Sequence, residues 1–124
     1  MENEIIKERF LGTILGQAVG DAFGLSTEFM SKQEVDRFYP NGIEDYSQIV
    51  QDEHRRRWQR GDWTDDTDMM LCILDSFVAC KKVDTLDIAR RFKEWMMNGG
   101  MGIGRHTYNV MALGDYTSNP QKAA

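Results

Sequence analysis

Phe10-Leu11-Gly12-Thr13-Ile14-Leu15-Gly16-Gln17-Ala18-Val19-Gly20-Asp21-Ala22-Phe23-Gly24 sets the fold class. Its apolar residues, Phe10, Leu11, Ile14, Leu15, Ala18, Val19, Ala22 and Phe23, recur at helical spacing. The pattern predicts a helix from about Ile5 to Phe23. The apolar face is nearly continuous, so the helix should be central. Gly12, Gly16, Gly20 and Gly24 recur every four residues on one face. Each costs up to about 1 kcal/mol of helix stability against alanine. That cost at fixed spacing predicts close approach of another backbone. Membrane helix dimers use the same spacing, but Gln17, Asp21 and the short apolar stretch argue against one. Asp21 interrupts the apolar face and reads as an aspartate bonded to backbone or to a neighbouring helix end. Glu28 falls just past the helix, in a loop.

Downstream, Ser31 and Glu34 form a capping-box signal for a helix over Gln33 to Phe38. Pro40-Asn41-Gly42 ends it in a turn. Residues 42 to 62 are polar and read as a long loop. Its basic patch, His54-Arg55-Arg56-Arg57 with Arg60, reads as a solvated loop or as an attractant for a diphosphate. A second long helix is expected over Asp66 to Lys81, burying Met70, Ile73, Leu74, Phe77 and Val78. A third runs from Asp84 or Thr85 to Met97, burying Ile88, Phe92, Trp95 and Met96, and stops at Asn98-Gly99-Gly100. Met101-Gly102-Ile103-Gly104-Arg105 is a glycine-rich turn before a short helix over Thr107 to Leu113. Tyr116 to Ala124 is polar. No strand-period alternation or internal repeat is visible. The fold class is all-α.

The 124 residues fit one domain, and 41% apolar with 28% charged residues is a globular composition. A net charge of -5 speaks against nucleic acid as the partner. No apolar run reaches membrane-span length. The acidic start Met1-Glu2-Asn3-Glu4 lacks the basic region of a signal peptide. Cys72 and Cys80 share one predicted helix. About 1.5 Å of rise per residue puts their Cα atoms roughly 12 Å apart, too far for a disulfide. A reducing, cytoplasmic compartment is expected.

Trp63-Thr64-Asp65-Asp66-Thr67-Asp68 carries the chemistry. One reading is local: Thr64 or Asp65 caps the helix, and the remaining acids complement its dipole. The other is a cation site. Trp63 and Met69-Met70 flank the acids with apolar surface, where unpaired carboxylates are costly. Alternating hydroxyls and carboxylates are the hard oxygen donors that a magnesium-type ion takes. No cysteine pair in finger-like spacing joins His54 or His106 to make a zinc site. The calcium-loop pattern fails for want of a glycine at its turn position.

Leu15-Gly16-Gln17-Ala18-Val19-Gly20-Asp21-Ala22-Phe23-Gly24 with Glu28, followed by Trp63-Thr64-Asp65-Asp66-Thr67-Asp68-Met69, resembles the ADP-ribosylglycohydrolases. The resemblance runs from about Phe10 to Leu113. It implies an all-α fold with a binuclear Mg2+ centre, Mn2+ being the alternative ion. Thr64, Asp65 and Asp66 match the family's N-terminal metal ligands. Glu28 matches the loop glutamate that meets the metal site and is linked to catalysis. Gly102 and Gly104 match a glycine-rich loop that lies against the ADP-ribose diphosphate. Glycines do let backbone N–H groups approach an anion, although a plain helix stop explains the same residues. The implied substrate is an ADP-ribosylated protein or an ADP-ribose conjugate, cleaved at the ribosyl bond.

Two features depart from the family pattern. Its members are considerably longer, and they carry a second motif of the Asp-x-Asp-Thr kind that is absent here. Asp75, Asp84, Asp87 and Asp115 are isolated. The expectation is therefore the N-terminal part of such a domain, with an exposed apolar helix face that favours self-association. A truncated, non-catalytic ADP-ribose-binding or scaffold protein is the alternative. An all-α nucleotide pyrophosphohydrolase fits less well, because its acids usually sit at i and i+3 or i+4 across several helices.

Overall fold

The computed structural model describes all 124 residues as six α-helices and two short 3-10 turns, with no strand. The all-α expectation holds. The chain forms two compact units, Met1–Thr64 and Asp65–Ala124.

In the first unit, α1 spans Glu2–Gly24. It starts three residues before the predicted Ile5, and Glu2 and Glu4 in its first turn complement the helix dipole. The prediction that α1 is a central, buried helix is not met. Phe10 is 57% and Leu15 61% exposed, and Ala22 is the one fully buried residue of the helix. A Cβ added at Gly12, Gly16, Gly20 or Gly24 would meet nothing within 4 Å. The glycine stripe therefore faces open space, and the close backbone approach does not occur in this chain. The expected exposed apolar face is present as Ile6, Phe10, Leu11, Leu15 and Val19.

Burial concentrates beyond the C-terminal end of α1. The helix α2 spans Lys32–Phe38 and carries the predicted capping box. The Ser31 amide donates to Glu34 Oε2 at 2.7 Å, and the Glu34 amide donates to Ser31 Oγ at 3.3 Å. Gly42 makes the predicted turn with φ +79°, its amide bonding to the Tyr39 carbonyl.

The long loop is real but firmly fastened. It holds 3-10 turns at Tyr46–Gln48 and Arg55–Arg57, and Ile49 and Trp58 are buried. The Tyr39 hydroxyl donates to the Ser26 carbonyl at 3.1 Å and accepts the Val50 amide at 3.0 Å. Arg56, Arg57 and Arg60 are exposed, as the solvated-loop reading expects, but Arg55 departs from it at only 2% exposed. Its Nε donates to the Leu25 and Ser26 carbonyls at 2.8 and 3.1 Å, and Nη2 donates to the Glu28 carbonyl. Its Nη1 meets Asp52 Oδ2 at 2.5 Å. The cause is physical. A helix end leaves carbonyls without partners, and a guanidinium offers five N–H donors in a rigid fork.

The second unit contains α3 (Asp65–Cys80), α4 (Thr85–Met97), α5 (Arg105–Met111) and α6 (Pro120–Ala123). Ala89, Met111 and Tyr116 form its core, with Met69, Phe92, Met96, Ile103, Val110 and Ala123 packed around them. The buried face of α3 differs from the prediction. Thr67 and Ser76 are fully buried, whereas Ile73, Phe77 and Val78 are largely exposed. Partner geometry, not hydropathy, selects the packed face. Tyr116 and Ala123 also draw the polar C-terminal segment into the core, which its composition did not indicate. Both cysteines are free, and burial pushes the Cys72 thiol above its ordinary range.

Asp84 caps α4 as predicted, accepting the Asp87 amide at 3.0 Å. Asp87 in turn accepts Arg91 Nε at 2.7 Å and Arg90 Nη2 at 2.6 Å. Arg91 first, with Arg90 beside it, holds the Asp87 carboxyl far below the usual carboxylate range. A depressed folded-state pKa stabilises the fold fully above the unfolded value, about 3.9, and loses that contribution as pH falls toward the folded value. Thermal melts of wild type and Asp87→Asn should therefore differ at pH 6 and converge as pH drops below about 4. A constant difference across that range would contradict this role.

Candidate metal and substrate site

Within the acidic run, Thr64 is the last residue of the first unit and Asp65 the first of the second. Thr64 is buried, and Asp21 holds it with both carboxylate oxygens. Oδ2 accepts the Thr64 amide at 2.8 Å and Oδ1 accepts its hydroxyl at 2.6 Å. The expected backbone partner of Asp21 is thus the amide that leads into α3. With its proton spent on Asp21, the Thr64 hydroxyl oxygen is left as an acceptor.

Asp65 and Asp66 open α3, with Asp65 half-buried and Asp66 exposed. Their position in the first turn also satisfies the local reading, since acids there complement the helix dipole. Asp68 is tied inward, its Oδ2 accepting the Trp95 indole N–H at 3.0 Å. A hydroxyl and two carboxylates are hard oxygen donors of the kind that suits Mg2+. No three His, Cys, Asp or Glu side chains gather into a group that could hold a metal. The donors present fit a magnesium-type ion in kind and would supply only part of its coordination.

Glu28 lies in the turn after α1 and is exposed. Its Oε2 is 2.8 Å from His54 Nε2. The Glu28 carbonyl is held by Arg55, so backbone and side chain are both anchored to the Arg-rich turn. Phe29, next in sequence, adopts φ +61° and sets its ring edge-on to His54 at 5.1 Å.

The glycine-rich turn follows α4. Gly99 and Gly102 have φ +91° and +90°, a region L side chains rarely adopt. Gly104 is the extended N-cap of α5. Gly100 sits on the Trp95 ring, where an added Cβ would lie 2.9 Å from three ring atoms. Trp95 thus connects the glycine turn to Asp68. Gly100→Ala should lower the urea midpoint by an amount worth about 1–3 kcal/mol, the usual cost of overpacking. An unchanged midpoint would show that the ring gives way freely.

The sequence-derived residues divide between the units. Glu28 and Thr64 belong to the first, and Asp65, Asp66, Gly102 and Gly104 to the second. Sequence reasoning missed His54, Arg55 and Trp95 as partners of this chemistry. His54 and Glu28 are 26 residues apart, and no local periodicity links positions so distant.

Comparison with known proteins places the chain in a family. The chain matches the ADP-ribosylglycohydrolase family model over residues 2–124. It is 35% identical over 111 residues to the ADP-ribosyl-[dinitrogen reductase] glycohydrolase of Rhodospirillum rubrum, covering 84% of this chain and 34% of that protein. It is 30% identical to the ADP-ribosylarginine hydrolase Tri1 of Pseudomonas putida (strain GB-1), over 83% of this chain and 25% of the relative. It is 32% identical to the ADP-ribosylhydrolase ARH3 of Danio rerio, over 83% of this chain and 26% of the relative. The chain therefore spans about a third or less of the length of these relatives. With a match across nearly all of its residues, the chain belongs to the ADP-ribosylglycohydrolase family.

Proposed function

We propose that this chain contributes the Thr64-Asp65-Asp66 half of a magnesium-dependent hydrolase that removes ADP-ribose from a modified protein or small conjugate. The observation that carries the reading is the two-pronged grip of Asp21 on Thr64. It fixes Thr64, the first residue of the proposed donor run. Asp65 and Asp66 follow directly and supply the carboxylates. Water or other protein ligands complete the coordination, because three donors are too few for an octahedral ion. Mg2+ held there would orient ribose hydroxyls and favour ionisation of a water.

The chain's own residues do the rest. Glu28 takes the proton of the attacking water or contacts the ribose, the carboxylate role in cleaving a glycosidic bond through an oxocarbenium-like transition state. Gly102 and Gly104 present backbone amides to the diphosphate, with no Cβ to keep an anion away. ADP-ribosyl-arginine is the first substrate to try, since two relatives are named for that linkage. The compartment is proposed to be the cytoplasm. The free cysteines suit it, and no helix is long and apolar enough to cross a membrane.

The test is ADP-ribose release from an ADP-ribosyl-arginine peptide by the protein, with Mg2+ and with EDTA. Release with Mg2+ and none with EDTA is expected. Equal release in EDTA contradicts the metal assignment. ADP-ribose binding measured by calorimetry without any release would favour the non-catalytic binding protein.

A further inference from the structure

We infer that His54 is a positioning residue for Glu28, held as the neutral Nε2–H tautomer by Arg57. The inference rests on the catalytic role proposed for Glu28. It starts from hydrogen-bond bookkeeping. Arg57 Nη2 lies 2.9 Å from His54 Nδ1. A guanidinium can only donate, so Nδ1 must accept and carries no proton. The ring proton is then on Nε2, which lies 2.8 Å from Glu28 Oε2 and donates to it. A doubly protonated ring would set two donors against each other at Nδ1.

The ring itself has little freedom. Phe29 and Trp58 meet it edge-on at centroid distances of 5.1 and 5.4 Å. Arg57 is also fixed, its Nε donating to the His54 carbonyl at 3.2 Å and its Cζ stacked 4.7 Å from the Trp58 ring centre. Trp58 is buried, so the stack stands on a rigid base. The sequence Trp58, Arg57, His54, Glu28 is a chain of contacts running from the core of the first unit to a solvent-exposed carboxylate. One oxygen of that carboxylate is engaged and Oε1 stays open for substrate or water. Without the chain, Glu28 would swing as an ordinary exposed glutamate.

The experiment uses the protein, three single variants and one double variant. His54→Phe keeps the ring contacts and removes the donor. His54→Gln restores a donor near the Nε2 position. Glu28→Gln reports on the carboxylate itself. For ADP-ribose release, His54→Phe should lose about 10–100-fold in kcat, the usual range for an orienting partner, with KM within about twofold and an unchanged melting temperature. His54→Gln should recover most of that loss. Glu28→Gln combined with His54→Phe should be no worse than Glu28→Gln alone.

The two readings fail separately. Full activity in Glu28→Gln removes the proposed role of Glu28. A dead Glu28→Gln beside a fully active His54→Phe removes only the role of His54. Nitrogen-15 NMR of the imidazole tests the geometry independently of turnover. It should show protonated Nε2 and bare Nδ1 at neutral pH. A dominant Nδ1–H tautomer, or fast averaging between tautomers, overturns the inference.

Discussion

Asp65→Asn combined with Asp66→Asn is expected to lower ADP-ribose release by on the order of 10^3-fold or more, with folding intact. Lewis-acid assistance is worth several kcal/mol at the transition state, and each 1.36 kcal/mol is about tenfold in rate. The substitution keeps side-chain size and polarity, and it removes the two negative charges a cation requires. Asp66 is exposed and Asp65 half-buried, so neither change opens a cavity. Dipole complementation lost at the helix start is worth about 0.3–1 kcal/mol per acid. Stability and activity therefore separate. If the acids were merely helix-starting residues, the double variant would be slightly less stable and otherwise fully active. Rates of release and a urea melt on the same preparation distinguish the two.

Arg55→Met should destabilise the first unit by about 3 kcal/mol, a large share of the stability of a domain this small. The side chain is 2% exposed and serves the carbonyls of Leu25, Ser26 and Glu28 as well as Asp52. Methionine fills much of the volume but leaves those acceptors unpaired, at about 1–3 kcal/mol for each buried group. Asp52 is 40% exposed, so water re-solvates it and its share is small. Arg55→Lys should recover little, because one ammonium cannot reproduce the fork. Hydrogen exchange at the amides of residues 25–30 would report the loss locally. Protection equal to wild type in Arg55→Met would show that the carbonyls find other partners.

The sequence disclosed local features well and long-range partners poorly. The Ser31–Glu34 box, the Gly42 turn and the start of α4 at Asp84 depend on residues three or four apart. Their physics is contained in the local pattern. The apolar pattern of α3 does not identify its packed face. Packing geometry buries Thr67 and Ser76 and leaves Phe77 outside. Leu15 and its neighbours on α1 likewise stand in the open. Arg55 was misjudged for a related reason. Composition treats an arginine in a basic run as solvated, yet a helix end with unpaired carbonyls can draw one inward. In the acidic run, residue types alone mark candidate donors. The hold of Asp21 on Thr64 spans 43 positions, and only the folded chain reveals it.

The central proposal is that Thr64, fixed by Asp21, and the adjoining Asp65 and Asp66 bind a cation. Its most direct test is electron paramagnetic resonance of Mn2+ titrated into the protein, with Mg2+ as competitor. Wild type should deplete the free-Mn2+ signal saturably, Mg2+ should restore it, and both Asp21→Ala and the Asp65→Asn, Asp66→Asn variant should bind far more weakly while remaining folded. Equal Mn2+ uptake by wild type and the double asparagine variant would contradict the account.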